Sequence, residues 1–239
     1  MMIKKIQKKS LLFYVIIAYS ITWVFWITAI LLGYEDISFV KLIHGDFETP
    51  KQLILFLVFR IGAYGPLIAS LLVTYYFFKL DGLKDLWRRI TKWKIKFKWY
   101  LYALLIPIVL NLIVVFVGML IGITFDEFFK SNIPLTFIFI YFFYEIITSG
   151  MEEPGWRGFA LDNLQKKFTA EKSSWILGLI WGVWHYPFVI SLYLSGGIIA
   201  TIFSLAGFTM AIIGQTIIYT WLYNNTKSVF KGTVLCFIF

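Results

Sequence analysis

Glu152 and Glu153 stand side by side, Arg157 follows Glu153 by four residues, and His185 comes roughly one membrane span later. On a continuous helix the i, i+4 spacing lays Glu153 beside Arg157, so that acid and guanidinium neutralise each other. Glu152, rotated about 100° away, is left for chemistry. Burial of an unpaired carboxylate shifts its pKa up, toward the range useful to a general base. His185 sits in Trp181-Gly182-Val183-Trp184-His185-Tyr186-Pro187 and is the one side chain of the apolar segments that ordinarily titrates near neutrality. An acid and an imidazole drawn from consecutive helices are what activation of a water molecule requires. The plainer alternatives are a charge cluster that merely ends a helix and a histidine bonded to its neighbour helix.

Other polar residues carry weaker signals. Glu145 precedes Glu152 by seven residues and so shares nearly its helical face, as a proton relay, a second carboxylate, or an acid bonded to Tyr or Thr neighbours. Arg60 is expected to snorkel to the outer interface. The 10 tryptophans are expected mostly in interface belts and helix packing. His44 reads as an ordinary loop residue, and Cys236, the sole cysteine, as a small core residue with no disulfide or zinc framework around it.

The elements that must position these groups are membrane helices. Of 239 residues 60% are hydrophobic and 15% charged, and the mean hydropathy is +0.80, well beyond a soluble domain. The pattern predicts an all-α fold, a polytopic transmembrane helix bundle. Apolar runs near 11–32, 54–78, 99–123, 135–151, 174–194 and 198–222 make six full spans, and a seventh begins at Gly232 and breaks off at Phe239. The expected organisation is a first span and external loop over 1–52 and a core over 53–239 that is truncated at its C-terminus.

The net charge of +9 resides in short segments between spans, at Lys4 to Lys9, 79–98, 166–172 and Lys227 to Lys231. The alternation with acidic or neutral segments places the N-terminus in the cytoplasm. It also makes the lipid bilayer with its anionic headgroups, rather than nucleic acid, the expected partner of the basic residues. In this frame Glu152 ends the fourth helix at the cytoplasmic side while His185 lies about 16 Å up the fifth. A cavity open to the cytoplasm is expected to join them, with Pro154-Gly155 and Tyr186-Pro187 as the helix breakers that permit it.

Two motifs resemble one family. Glu152-Glu153-x-x-x-Arg157, with Pro154-Gly155-Trp156 and Gly158-Phe159 around it, is similar to the first motif of the CPBP intramembrane proteases (CAAX proteases and bacteriocin-processing enzymes, also called abortive-infection or type II CAAX prenyl endopeptidases). Trp181-x-x-x-His185 is similar to the second, with Trp where Phe is usual. The resemblance extends over roughly 55–239, including Trp221-Leu222-Tyr223-Asn224. It implies a membrane endopeptidase acting on peptide or protein substrates, in which Glu152 and His185 activate the attacking water and Glu153 and Arg157 shape the site. The third motif, a His and an Asn four residues apart that stabilise the oxyanion, is expected just past Phe239, so this chain is expected to be weakly active or inactive by itself. A cofactor is either absent or a zinc for which Glu152 and His185 are the candidate ligands, although a catalytic zinc usually takes three. The competing readings are a non-catalytic bacteriocin immunity or interaction protein on the same scaffold, and a proton-coupled transporter using Glu145 and Glu152.

Overall fold

A computed structural model describes residues 2–34, 42, 44, 45, 47–124 and 137–229. The seventh apolar run and Cys236 lie outside them, as do Glu35, Asp36, Asp46, Asp126 and Glu127 of the acidic segments. The chain is an all-α membrane helix bundle, and among the described residues there is no strand.

Helix α1 runs over Met2–Leu31, α2 over Pro50–Gly62, α3 over Gly65–Ile90 and α4 over Lys98–Leu120. After α5 (Ile138–Ile147) the chain tightens into a 3₁₀ turn, Ser149–Glu152, then widens into a π-helix, Pro154–Leu161, and resumes as a short α6, Asp162–Gln165. Helix α7 (Ala170–Trp184) bends by 53° into α8 (Tyr186–Tyr193), and α9 covers Ile198–Thr226. Among the described residues, four segments are long and apolar enough to cross a bilayer: Lys9–Leu31, Pro50–Ile90, Lys98–Leu120 and Ile198–Thr226. The bent α7–α8 pair makes a fifth where it counts as one span. The run expected over 135–151 begins among undescribed residues and continues irregularly to Gln165.

The lipid-facing surface is apolar, as a bilayer requires: Leu112, Val114, Phe116, Leu120 and Ile121 on and just after α4 are all more than half exposed. Lipid tails are as apolar as leucine, so the helices associate through close packing and polar contacts instead. At Gly178 of α7 an added Cβ would lie 2.7 Å from the Ile213 Cα of α9. Two backbones meet there, and neither can yield cheaply. Gly178→Ala is expected to lower stability by about 1–3 kcal/mol, read as the midpoint of thermal denaturation in detergent.

The π-helix is the central strut, with every residue from Pro154 to Leu161 buried. Its wide turns close through i→i−5 hydrogen bonds in place of the usual i→i−4 ones, a widening found mostly at functional sites. Gly155 presses against the Pro66 carbonyl of α3 and the Tyr14 hydroxyl of α1, where an added Cβ would come within 2.5 and 2.6 Å. Arg89, near the end of α3, clamps the strut from the basic side. Its Nη1 donates to the Gly158 carbonyl at 2.7 Å and the Tyr223 hydroxyl at 3.0 Å, while Asp85 pairs with Nη2 at 2.9 Å.

Helix α1 stitches the other face. Thr22 Oγ1 donates to the Gly62 carbonyl at 2.7 Å and Trp26 Nε1 to that of Phe59 at 2.9 Å. Trp23 Nε1 donates to the Trp184 carbonyl at 3.0 Å, and the Tyr19 hydroxyl to that of Ile180. These bonds occupy carbonyls at the end of α2 and along α7, where the ladder runs out before Pro187.

Candidate functional site

Glu152 closes the 3₁₀ turn and is buried, yet it is not pointing loosely into space. Its Oε2 accepts two indole N–H groups, from Trp156 one turn on at 3.0 Å and from Trp181 of α7 at 2.8 Å. Both donors converge on one oxygen, which fixes the carboxylate and leaves Oε1 without a bond from any described side chain. The separation of Glu152 from Trp156 and of Trp181 from His185 is four residues in each case. One helical turn on each side therefore builds the cradle.

Glu153 and Arg157 form the ion pair that their spacing predicts, with Arg157 Nη1 2.6 Å from Glu153 Oε1 and both side chains buried. The guanidinium is sandwiched between aromatic faces, 4.2 Å from the Trp181 ring centroid and 4.4 Å from that of Tyr219. Arginine suits this place because its planar cation stacks on rings while it bonds a carboxylate in its own plane. The stack reaches the cradle as well, since Trp181 is the indole that donates to Glu152.

His185 caps α7 at the bend. Its Nδ1 lies 2.9 Å from the Trp181 carbonyl, which can only accept, so Nδ1 carries a proton and in the neutral ring Nε2 keeps its lone pair. The ring is held edge-on to Trp184 and Phe208, with centroids 4.5 and 5.1 Å away.

Glu152 and His185 line one cavity of about 170 Å³, together with Trp26, Phe59, Arg60, Ala63, Thr148, Ser149, Trp184 and Phe188. This corrects the expectation of two different depths. Helix continues for 13 residues past Glu152 to Gln165, so Glu152 lies about 20 Å from the basic end of its segment and His185 about as far from Ala170. Pro154 does not end the segment because it stands at its first π-helical position, where a missing N–H costs little.

Arg60 does not snorkel out; it lines the cavity with its guanidinium 5.0 Å from the Phe56 ring centroid and 5.5 Å from that of Tyr144. Trp26, Trp156, Trp181 and Trp184 are buried around the site and form no interface belt. Glu145 stays out of the cavity wall, accepting from Ser149 Oγ at 2.8 Å and bonded to Tyr141. Sequence reasoning missed Arg60 and the indole cradle, although the four-residue spacing of Trp156 from Glu152 was available as a signal.

A catalytic zinc needs three protein ligands. Among the described residues no three His, Cys, Asp or Glu side chains converge, and the cavity wall supplies only Glu152 and His185. Among the described residues the donor set is one ligand short of that coordination.

Residues 132–239 match the family described as type II CAAX prenyl endopeptidase Rce1-like. A CAAX prenyl protease 2 of Methanococcus maripaludis is 32% identical over 96 residues, which are 39% of this chain and 35% of that relative. The matched stretch thus spans about a third of the relative's length (35%). Residues 132–239, which carry both motifs, are thus similar to the type II CAAX prenyl endopeptidases.

Proposed function

We propose that the chain is an intramembrane endopeptidase that hydrolyses a peptide bond of a membrane-associated substrate with a water held between Glu152 and His185. The observation that carries this reading is the shared cavity, in which a fixed carboxylate and an imidazole with a free Nε2 lone pair face the same small volume. A water donating one O–H to Glu152 Oε1 and the other to His185 Nε2 turns its own lone pair toward a carbonyl carbon. As the new C–O bond forms, Glu152 takes the water's proton. When the C–N bond breaks, that proton passes to the leaving amine, so one water and one peptide bond give one acid and one amine. Glu153 and Arg157 touch no reacting atom and act by holding Trp181.

The test is cleavage of a mixed peptide library by the chain in liposomes, read by mass spectrometry. Products that appear with the chain and vanish with Glu152→Gln support the reading; a library left whole overturns it.

The alternation of basic and acidic segments favours a cytoplasmic N-terminus, with the basic segments at that face. Arg60, Thr148 and Phe188 then lie along their helices on the far side of Glu152 and His185 from those segments. On that orientation the cavity would belong to the half of the bilayer remote from the basic loops, with the helix after Glu152 on the cytoplasmic side. Ser149→Cys is expected to react with a membrane-impermeant thiol reagent added outside sealed cells. Labelling only after the cells are opened would reverse this placement.

A further inference from the structure

Five tryptophans surround the site, and four of their indole N–H groups have acceptors. Those of Trp156 and Trp181 bond Glu152, that of Trp26 bonds the Phe59 carbonyl and that of Trp23 bonds the Trp184 carbonyl. Trp184 differs. Its side chain is 1% exposed, it lines the cavity beside His185, and its Nε1 is buried without a hydrogen-bond partner. A buried N–H without an acceptor is costly in an apolar interior, so one in the wall of a reaction cavity points to an acceptor that arrives with the ligand.

Both hydroxyl donors in the wall are already engaged. Thr148 Oγ1 donates to the Tyr144 carbonyl at 2.8 Å and Ser149 Oγ to Glu145 at 2.8 Å. Arg60 is seated over two rings. Glu152 and His185 both present acceptors toward the water, so neither can serve a carbonyl oxygen that gains negative charge. We propose that the Trp184 indole N–H donates a hydrogen bond to the carbonyl oxygen of the scissile peptide bond and stabilises the oxyanion formed on it. This assignment rests on the protease reading above. In the step concerned, the water oxygen bonds to the carbonyl carbon, the C=O electron pair moves onto oxygen, and the proton goes to Glu152. The new charge on oxygen is what the N–H meets. Edge-on packing of Trp184 against His185 and Trp156, with centroids 4.5 and 5.7 Å away, fixes the indole before substrate arrives.

The experiment measures kcat and KM separately for peptide hydrolysis by the full chain in liposomes. Two forms are compared with the unsubstituted protein: Trp184→Phe, and the chain with benzothienylalanine at 184, which keeps the indole's shape and replaces the N–H by sulfur. Loss of one oxyanion donor is expected to lower kcat about 10²-fold with KM little changed. Unchanged kcat in the benzothienylalanine form overturns the assignment while leaving the protease reading intact, and so does a rise in KM alone. Should Trp184→Phe fail to fold, the isosteric form decides by itself. Absence of turnover by the unsubstituted chain removes the protease reading and this assignment together.

Discussion

Glu152→Gln is expected to abolish most peptide hydrolysis, by about 10²- to 10⁴-fold, while the melting temperature in detergent stays close to that of the unsubstituted protein. The argument rests on the asymmetry of the carboxylate. Its Oε2 is consumed by two indole N–H bonds that an amide oxygen can accept equally well, so the cradle from Trp156 and Trp181 survives the change. What is lost is the other oxygen, replaced by an NH₂ group that donates where the mechanism needs an acceptor for the water's proton. A scaffold acting through interaction alone keeps its partner binding under this substitution. A proteolytic one keeps its fold and loses its rate. A Glu152→Gln protein that cleaves at the original rate would remove Glu152 from the chemistry and pass the role of base to His185.

Much of this arrangement was legible in the sequence. The Glu153–Arg157 pair follows from one helical turn, and a π-helix widens that turn without separating the two side chains. The all-α membrane class follows from composition, and the likeness to the CAAX proteases from two short motifs. What could not be read was depth. Pro154-Gly155 looked like a terminus, whereas the chain continues as buried helix because α3, α7 and α9 pack on it and Tyr14 of α1 packs on Trp156 and Phe159, contacts that a lone segment lacks. Tertiary partners also decided the tryptophans: an indole in an apolar run is compatible with an interface belt or with a buried N–H bond, and only the neighbouring carboxylate tells them apart. Arg60 is the same case. A long cation near a helix end has the reach to leave the bilayer, but in this fold the rings of Phe56 and Tyr144 hold it against the cavity.

The second large effect is on stability, and it comes from the ion pair. Glu153→Leu leaves the Arg157 charge buried between Trp181 and Tyr219 with its carboxylate partner gone, and Arg157→Met leaves the opposite charge. Each single substitution is expected to cost about 3–5 kcal/mol, because a buried charge stripped of its partner retains its desolvation penalty and loses its compensation. Replacing both, as Glu153→Leu with Arg157→Met, removes the two penalties together and is expected to restore most of the stability. Urea titration of all the variants in one detergent gives the coupling energy directly. The same set separates structure from chemistry. Stability returns in the double variant, but the planar cation that seats the Trp181 ring does not, and Trp181 is the donor bonded to Glu152 at 2.8 Å. Hydrolysis is therefore expected to stay at least about tenfold down in the double variant, the magnitude of one weakened charge-assisted hydrogen bond. Full recovery of both stability and rate would confine Glu153 and Arg157 to holding the fold.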